Sequence, residues 1–398
     1  MSARRVDAVF LLVTCLFFLS QYTYAPFLTP YVGVLGGSLA MTGLVAGSYG
    51  ALQFLLRIPL GLWSDRLARR KPFVVAGVLL AGISALGLGL ASTPCHLLFF
   101  RSLSGVAAAT WVLFTVFYTS LFPSAETGKR TGLLTFAASS GQLAGNLAGG
   151  FLAERGGWTA PFFGAAMAGA LTVPLVLAVP ETRTGEQRKT GEAVEPALRQ
   201  CARPAILEPS LLALLTHFIF YATILGFTPV YVTSLGLSKL TLGVLSTASG
   251  LAYVLGTLLA TRAEMRQLPW RFLVGASFAA MALAVWATPF SRTAGQLAAG
   301  FIALGFCRGT TYPVLMAAAL RASPPAYTAT AVGLFQAIYA VGMFAGPALA
   351  GVVAQRLGLP AVFVFCAVLA VAGLLWCSRA AGTEPAVAKQ ECPGAGQK

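Results

Sequence analysis

The sequence predicts an all-α integral membrane protein with twelve transmembrane helices in two pseudo-symmetric six-helix bundles. The first observation is composition, because 57% of the 398 residues are hydrophobic and only 10% are charged, against roughly a quarter charged in soluble domains. The second is a series of twelve apolar runs, each close to the ~20 helical residues that cross a bilayer. The third is one long polar interval that divides these runs six and six. Together they exclude an ordinary soluble domain.

The twelve apolar runs are predicted to be membrane spans, numbered 1 to 12 in chain order. Run 1 follows Arg4 and Arg5, as a signal peptide would, but it continues through Tyr22 and Pro26 without a small-residue cleavage site. We therefore expect it to be retained. The runs lie near residues 8–32, 41–62, 73–92, 96–121, 131–153, 159–179, 209–234, 241–260, 272–290, 295–320, 328–354 and 361–379.

The distribution of basic residues predicts the orientation. Of 27 Lys and Arg residues, only Arg155, Lys239, Arg292 and Arg356 fall in outer loops if both termini are cytoplasmic. Cytoplasmic loops are enriched in Lys and Arg, so both termini are expected inside, in the plasma or inner membrane of the cell. This topology also accounts for the net charge of +15, and no nucleic-acid partner is expected.

The polar interval defines the predicted domains. Residues 1–180 form the N-terminal bundle, 181–208 a cytoplasmic linker, and 209–398 the C-terminal bundle with a short cytoplasmic tail.

The two halves repeat one another. Residues 27–32 at the end of span 1 are similar to residues 226–231 in span 7, with Thr-Pro at 29–30 aligned to Thr-Pro at 228–229. Small residues also recur in spans 5 and 11, where they predict close helix packing or a bend. This helix-packing motif comprises Gly141, Gly145, Gly149 and Gly150 and, about 201 positions later, Gly342, Gly346 and Pro347.

The turn at residues 61–72, GLWSDRLARRKP, is a dense cluster of charge between spans 2 and 3. It resembles the signature loop of the major facilitator superfamily, with Trp63 and Ala68 departing from the family pattern. The opening of the linker, Pro180-Glu181-Thr182, and Arg101 with Gly105 in span 4 are also similar to that family. Asn146, however, stands where its antiporter motif has Pro. The residues of the turn that match the family's conformational switch are Gly61, Asp65, Arg66, Arg69 and Arg70.

The resemblance implies a central cavity between the bundles, alternating access and a monomer that binds a small molecule. It also implies that Asp65 lies at the inner face beside the start of span 11, near residues 327–330. A carboxylate there would interact with the helix N-terminus, so Asp65→Asn should lower transport while sparing membrane insertion.

Polar residues inside the spans are the candidates for the cavity. A cation in hydrocarbon costs at least ~2.5 kcal/mol, so Arg101 and Arg308 need a partner, a ligand or water unless they reach the interface. Arg57, one turn before Gly61, is expected to reach the cytoplasmic interface. His217 is either a packing residue or a proton carrier. The remaining candidates are polar side chains, each of which could instead bond a neighbouring helix: Gln53 and Gln336 first, then Gln21, Tyr24, Tyr221, Tyr312 and Tyr339.

The predicted function is secondary active transport of a small molecule, with efflux of a drug or metabolite implied by the resemblance and proton coupling as an option. The alternative is an importer or facilitator of a small anionic or neutral metabolite. No HExxH, membrane-embedded catalytic set or GxxxxGK[ST] motif occurs, so no enzyme, cofactor or metal is predicted. All twelve acidic residues fall in loops, tails or span ends, which favours an anionic, zwitterionic or neutral substrate with Arg101 as its acid contact.

Overall fold

The computed structural model describes residues 3–67, 69–123, 126–181, 202–265, 268–323 and 327–380. These residues are almost entirely helical and contain no strand, which confirms the predicted fold class. Span 1 comprises Ala3–Thr23 and Ala25–Val34, span 2 Leu39–Leu67, span 3 Lys71–Gly89, span 4 Pro94–Ala109 and Trp111–Ser120, span 5 Thr127–Gly156, and span 6 Ala160–Ala178. Span 7 comprises Pro204–Ala222, the π-helix Thr223–Phe227 and Thr228–Ser234, span 8 Lys239–Met265, span 9 Trp270–Ala287 with the 3₁₀ turn Thr288–Phe290, span 10 Ala294–Arg321, span 11 Thr328–Leu357, and span 12 Leu359–Ala380.

Span 5 differs from the other spans in composition. Eleven helical segments of the described chain are long and apolar enough to cross a membrane, and span 5 is not among them. Its 30 residues include Lys129 and Arg130 near one end and Glu154 and Arg155 near the other. Its length suffices to cross a bilayer, and its small residues face other helices rather than lipid.

The helix breaks in spans 1 and 7 were not predicted. Span 1 is interrupted at Tyr24, and the next helix has Pro26 in its first turn. Span 7 passes through the π-helix before Pro229, which again lies in the first turn of the helix that follows. Since Pro lacks an N–H, it interrupts the backbone hydrogen bonds of the preceding turn. Both interrupted spans reach the centre of the molecule.

The repeat between halves is visible in matching local contacts. The hydroxyl of Tyr31 donates to the Ala91 carbonyl at 3.5 Å, and that of Tyr231 donates to the Ser291 carbonyl at 3.1 Å. Both pairs differ in number by 200, so Tyr31 is the counterpart of Tyr231. Beyond the breaks the shift between halves is therefore 200, whereas the Thr-Pro pairs at 29–30 and 228–229 align at 199.

The glycines of spans 5 and 11 permit backbone contact within each half. A Cβ added at Gly141 would overlap the Cys15 carbonyl oxygen, and one at Gly145 would lie 2.8 Å from the Leu19 carbonyl oxygen. Gly342 and Gly346 pack in the same way on the backbone of span 7. These contacts support the packing interpretation and leave no room for side chains at the crossings.

A second set of contacts joins the two halves, at the end of the spans remote from the termini. We call it the outer seam and define it by span 2 against span 11 and span 5 against span 8. Gly43 lies against Gly351 and the carbonyl of Pro347, and Gly150 lies against Gly243.

Hydrogen bonds hold the outer seam at matching places. The Leu39 N–H donates to Gln355 Oε1 at 3.0 Å, and the Leu240 N–H donates to Glu154 Oε2 at 3.0 Å. Each bond satisfies a free N–H at the start of a helix from the opposite half.

Towards the termini the halves separate. A Cβ at Gly132 in span 5 or Gly333 in span 11 would meet no atom within 4 Å, although both helices are tightly packed further along. Phe136, also in this part of span 5, is 72% exposed. The molecule is therefore closed at the outer seam and open towards the end that holds the termini.

Candidate functional site

A central cavity lies between the two halves, on the terminus side of the outer seam. Its volume is about 260 Å³, and it is lined by spans 1, 2, 4 and 5 from one half and spans 7, 8, 10 and 11 from the other. Aromatic rings dominate the lining, which includes the tyrosines Tyr22, Tyr49, Tyr221, Tyr253, Tyr312 and Tyr339. Gln21, Gln53 and Gln142 add amides. The site is small, mostly apolar and edged by a few polar groups, as ligand sites usually are.

Arg308 lines the cavity without a hydrogen-bond acceptor. Its guanidinium carbon lies 4.4 Å from the ring centre of Phe220 and 5.0 Å from that of Tyr253. Its Nε is buried and unpaired, and its guanidinium donates no hydrogen bond to any side chain of the described chain. Cation–π contact offsets part of the cost of burying the charge, but the N–H donors of the two Nη atoms have no acceptor among the described residues and are left for a ligand.

Arg57 lies in the cavity, so the expectation that it reaches the cytoplasmic interface is wrong. Its Nη1 donates to the Tyr339 hydroxyl at 2.7 Å and to Gln336 Oε1 at 3.3 Å, and its Nη2 donates to Gln53 Oε1 at 2.5 Å. Three acceptors thus converge on the Nη atoms of a guanidinium directed inward, away from the interface.

Arg101 lies behind the cavity lining rather than in it. Its side chain is 6% exposed, and its Nη1 donates to the Tyr24 hydroxyl at 3.2 Å and to Ser104 Oγ at 3.4 Å. Its guanidinium carbon lies 4.2 Å from the ring centre of Tyr49, whose ring lines the cavity. Tyr24 in turn donates to Gln21 Oε1 at 3.0 Å. Arg101 therefore positions Tyr49 and Tyr24 and adds positive potential from behind.

His217 lines the cavity in a fixed orientation. Its Nδ1 lies 2.8 Å from the Ala213 carbonyl oxygen, and because a carbonyl only accepts, Nδ1 carries a proton. In the neutral ring Nε2 is then an acceptor. The ring stacks on that of Tyr339 with 4.3 Å between ring centres. Since the Tyr339 hydroxyl accepts from Arg57, this ring links His217 to Arg57.

The sequence-predicted candidates divide into three groups. Arg308, Gln53, His217 and Tyr221 line the cavity. Gln336 reaches the site through Arg57, and Arg101 and Tyr24 lie behind the lining. The lining tyrosines Tyr22, Tyr49 and Tyr253 were missed. Gln21 and Gln53 in the same apolar runs could have indicated Tyr22 and Tyr49, whereas the run of Tyr253 contains no glutamine.

The cavity is positively charged. No carboxylate of the described chain lines it. Asp7 accepts from Tyr118 and pairs with Arg130 at 2.7 Å, and Glu208 pairs with Arg271 at 2.9 Å, all near the terminus-side ends of their spans. Two cavity arginines and Arg101 behind them therefore lack a negative partner among the described residues.

Part of the predicted conformational switch cannot be placed. The surroundings of Gly61 and the side chains of Asp65 and Arg66 lie outside what the structure describes. Arg69 and Arg70 follow the end of span 2, with Arg69 exposed and Arg70 directly before span 3. The proposed contact between Asp65 and span 11 stays a prediction.

The cavity residues break the repeat that the rest of the molecule obeys. At the shift of 200 that relates spans 2 and 8 and spans 4 and 10, Arg308 corresponds to Ala108 and Arg57 corresponds to Thr257. In the first parts of spans 1 and 7 the glycine contacts give a shift of 199, so His217 corresponds to Phe18. Contacts shared by both halves build the scaffold, as the paired glycines and tyrosines do. A ligand that lacks twofold symmetry requires polar side chains that are present in one half and absent from the other, as these three are.

Comparisons with known proteins agree with this architecture. Residues 10–274 and 211–391 match the model of the Major Facilitator Superfamily. The uncharacterized MFS-type transporter YuxJ of Bacillus subtilis is 27% identical over 378 residues, which is 90% of this chain and 95% of that protein. Multidrug resistance protein 2 of Bacillus subtilis is 28% identical over 164 residues, only 41% of each chain.

Solved structures show the same fold. The crystal structure of a mutant of the nucleoside transporter NupG superposes with a TM-score of 0.81 at 14% identity, covering 94% of this chain and 99% of that one. With a family model matched across nearly the whole length, two pseudo-symmetric sets of spans and a central cavity, the chain belongs to the Major Facilitator Superfamily, a family of multi-pass membrane transporters.

Proposed function

We propose that this transporter exports a small organic anion by alternating access, with Arg308 as the principal contact of the acid group. The observation that supports the proposal is the acceptor-free guanidinium of Arg308 in a cavity that no described carboxylate lines. Arginine pairs with carboxylate or phosphate through two parallel hydrogen bonds. Aromatic rings around it suit a planar organic group.

Cationic drugs fit this site poorly. Exporters of cations need a negative group near the substrate, because an unpaired buried charge costs several kcal/mol. Here the substrate itself would supply the missing negative charge.

Export is favoured by the efflux proteins among the relatives, since a state open towards the termini occurs in both directions of alternating access. The cavity opens towards the end that holds the termini, and the excess of Lys and Arg favours the cytoplasm for that end. A cytoplasmic anion would enter this state, and opening of the outer seam would release it outside. Multidrug resistance protein 2 among the relatives is in keeping with efflux.

Coupling to protons would use the groups available near the path. His217 faces the cavity with an acceptor nitrogen in its neutral form, and Asp7 lies at the terminus-side end of span 1. The substrate acid is the third group that could exchange a proton. We propose that one monomer is sufficient, since one chain provides the whole cavity lining.

A second candidate is import or facilitated passage of a small neutral or anionic metabolite. Gln21, Gln53 and Gln142 line the cavity with amides that suit uncharged polar groups. The two candidates share the site and differ in direction.

The test compares export of a permanently cationic dye with export of an anionic fluorophore, in cells and in everted vesicles with and without a proton gradient. Wild type should export the anion, and Arg308→Ala should abolish this. Arg101→Ala should weaken anion export, since Arg101 acts from behind the lining, whereas Arg292→Ala in an outer loop is the control. Strong cation export that survives the loss of Arg308 would contradict the charge argument.

A further inference from the structure

Arg57 connects the two halves at the cavity. It lies on span 2, whereas two of its three acceptors, Gln336 and Tyr339, lie on span 11. Its guanidinium carbon is 5.5 Å from the Tyr339 ring centre. Spans 2 and 11 also pack against each other at the outer seam. The hydrogen bonds of Arg57 therefore join the same two helices a second time, closer to the termini.

All the acceptors of Arg57 are neutral. Gln53 and Gln336 offer amide oxygens and Tyr339 a hydroxyl, and Nε of Arg57 is buried with no partner. A carboxylate accepts two parallel charge-assisted hydrogen bonds from one guanidinium, which are among the strongest in proteins. A carboxylate entering the cavity would therefore compete successfully for this guanidinium.

Arg57 and Arg308 line the same cavity and come from opposite halves. A ligand with a single acid group satisfies one of them and leaves the other as it is. A ligand with two acid groups joined by a flat ring satisfies both, and its ring lies among the tyrosines. The volume of about 260 Å³, near the lower end for ligand sites, limits this ligand to a compact molecule.

Resting on the proposed function, we infer that the preferred substrate is a compact aromatic dianion, which binds one acid group to Arg308 and the other to Arg57. The second acid group replaces Gln336 and the Tyr339 hydroxyl as the partner of Arg57. Binding thus exchanges a direct link between spans 2 and 11 for a link through the substrate. This exchange frees span 11 at the cavity when the site is filled, before the outer seam opens.

The test measures thermal stabilisation of the purified full chain by matched probes. Terephthalate carries two acid groups, benzoate one, and terephthalamide none. A bound ligand stabilises the folded state by an amount that its concentration relative to Kd determines, so titration gives affinities. Wild type should bind terephthalate about tenfold more tightly than benzoate, and terephthalamide more weakly than either.

Variants distinguish a ligand contact from a structural link. Arg57→Gln should weaken terephthalate about tenfold and leave benzoate unchanged. Gln336→Ala and Tyr339→Phe each remove an acceptor that competes with the substrate carboxylate for Arg57. Each variant protein should therefore bind terephthalate more tightly than wild type. A purely structural role for Arg57 predicts the reverse, because losing either end of the link would then weaken binding.

Three outcomes would overturn the inference. An unchanged ratio of terephthalate to benzoate affinity in Arg57→Gln excludes Arg57 as a contact. Weaker terephthalate binding in both Gln336→Ala and Tyr339→Phe excludes the exchange. Binding of neither acid by wild type would contradict the proposed anion function itself, and the inference with it.

Discussion

At the residue scale, the three arginines inside the spans differ in environment and therefore in role. Arg308 has no acceptor, Arg57 has three neutral ones, and Arg101 is enclosed by Tyr24, Ser104 and Tyr49. The sequence predicts that charge in a span is functional, and this identified Arg101 and Arg308. The sequence could not show that the Arg57 side chain points into the cavity, because its acceptors Gln336 and Tyr339 lie 279 and 282 positions further along the chain.

Arg101→Lys is expected to lower transport about tenfold while leaving membrane insertion intact. Lysine keeps the charge, but it lacks the flat face that contacts Tyr49, and its rotating ammonium holds the two bonds that Nη1 donates to Tyr24 and Ser104 less rigidly. The measurement is the initial transport rate per inserted protein, with Arg292→Lys in an outer loop as the control. Wild-type rates in Arg101→Lys would show that the geometry of the guanidinium is unimportant.

At the scale of the element, helix length and type follow from the sequence, but interruptions do not. The apolar runs predict where the spans lie because ~20 helical residues cross a bilayer. The break at Tyr24 and the π-helix Thr223–Phe227 each precede a proline, but Pro313 and Pro347 lie inside continuous helices, so a proline alone does not predict a break. Span 5 was predicted from its apolar run although it is less apolar than the other spans, and Gly141 and Gly145 lie against span 1 and Gly150 against span 8.

Span 5 offers a matched pair of glycine substitutions. Gly141→Val should destabilise the protein by about 1–3 kcal/mol, because the new side chain overlaps the span 1 backbone at Cys15. Gly132→Val places the same side chain on the same helix where nothing lies within 4 Å, so its stability should be close to that of wild type. Thermal unfolding in detergent measures both. Equal losses would mean that valine acts through helix propensity rather than packing.

At the scale of the whole molecule, the outer seam determines which state the structure shows. The repeat predicted two similar halves, yet it could not predict which ends touch, since each half folds the same way in either state. Contacts between Gly43 and Gly351 and between Gly150 and Gly243 are possible only when the outer ends meet. The equilibrium between states should therefore respond to single atoms at these crossings.

Gly43→Val is expected to shift the population towards the outward-open state. The added side chain would overlap the Pro347 carbonyl of the other half, whereas Gly33→Val, with nothing within 4 Å, serves as the control. The measurement uses a protein in which Cys95 is replaced and Met343→Cys places a thiol in the cavity. An impermeant thiol reagent is added outside intact cells, and labelling of that cysteine is measured. Labelling that does not exceed the control would refute the seam as the closing contact.

Orientation can be tested with a native thiol. Cys95 is exposed in the first turn of span 4, at the end of the span that the charge bias assigns to the outside. An impermeant thiol reagent should label wild type in intact cells, and Cys95→Ser should remove that signal. Gly157 is a poorer site for an introduced cysteine, since its φ of +79° strains any side chain. Labelling of Cys95 only after the cells are opened would reverse the topology.

The backbone-to-backbone packing of the outer seam has a consequence for pharmacology. With the termini inside, as the charge bias favours, a blocker dissolved in the medium meets closely packed helices from opposite halves, with Gly243 beside Gly150 and Gly351 beside Gly43, and no opening to the cavity. In this state, inhibitors able to enter the cytoplasm should act and impermeant ones should not. A screen on intact cells would then select for uptake as much as for affinity, whereas everted vesicles would rank compounds by their fit to the arginines.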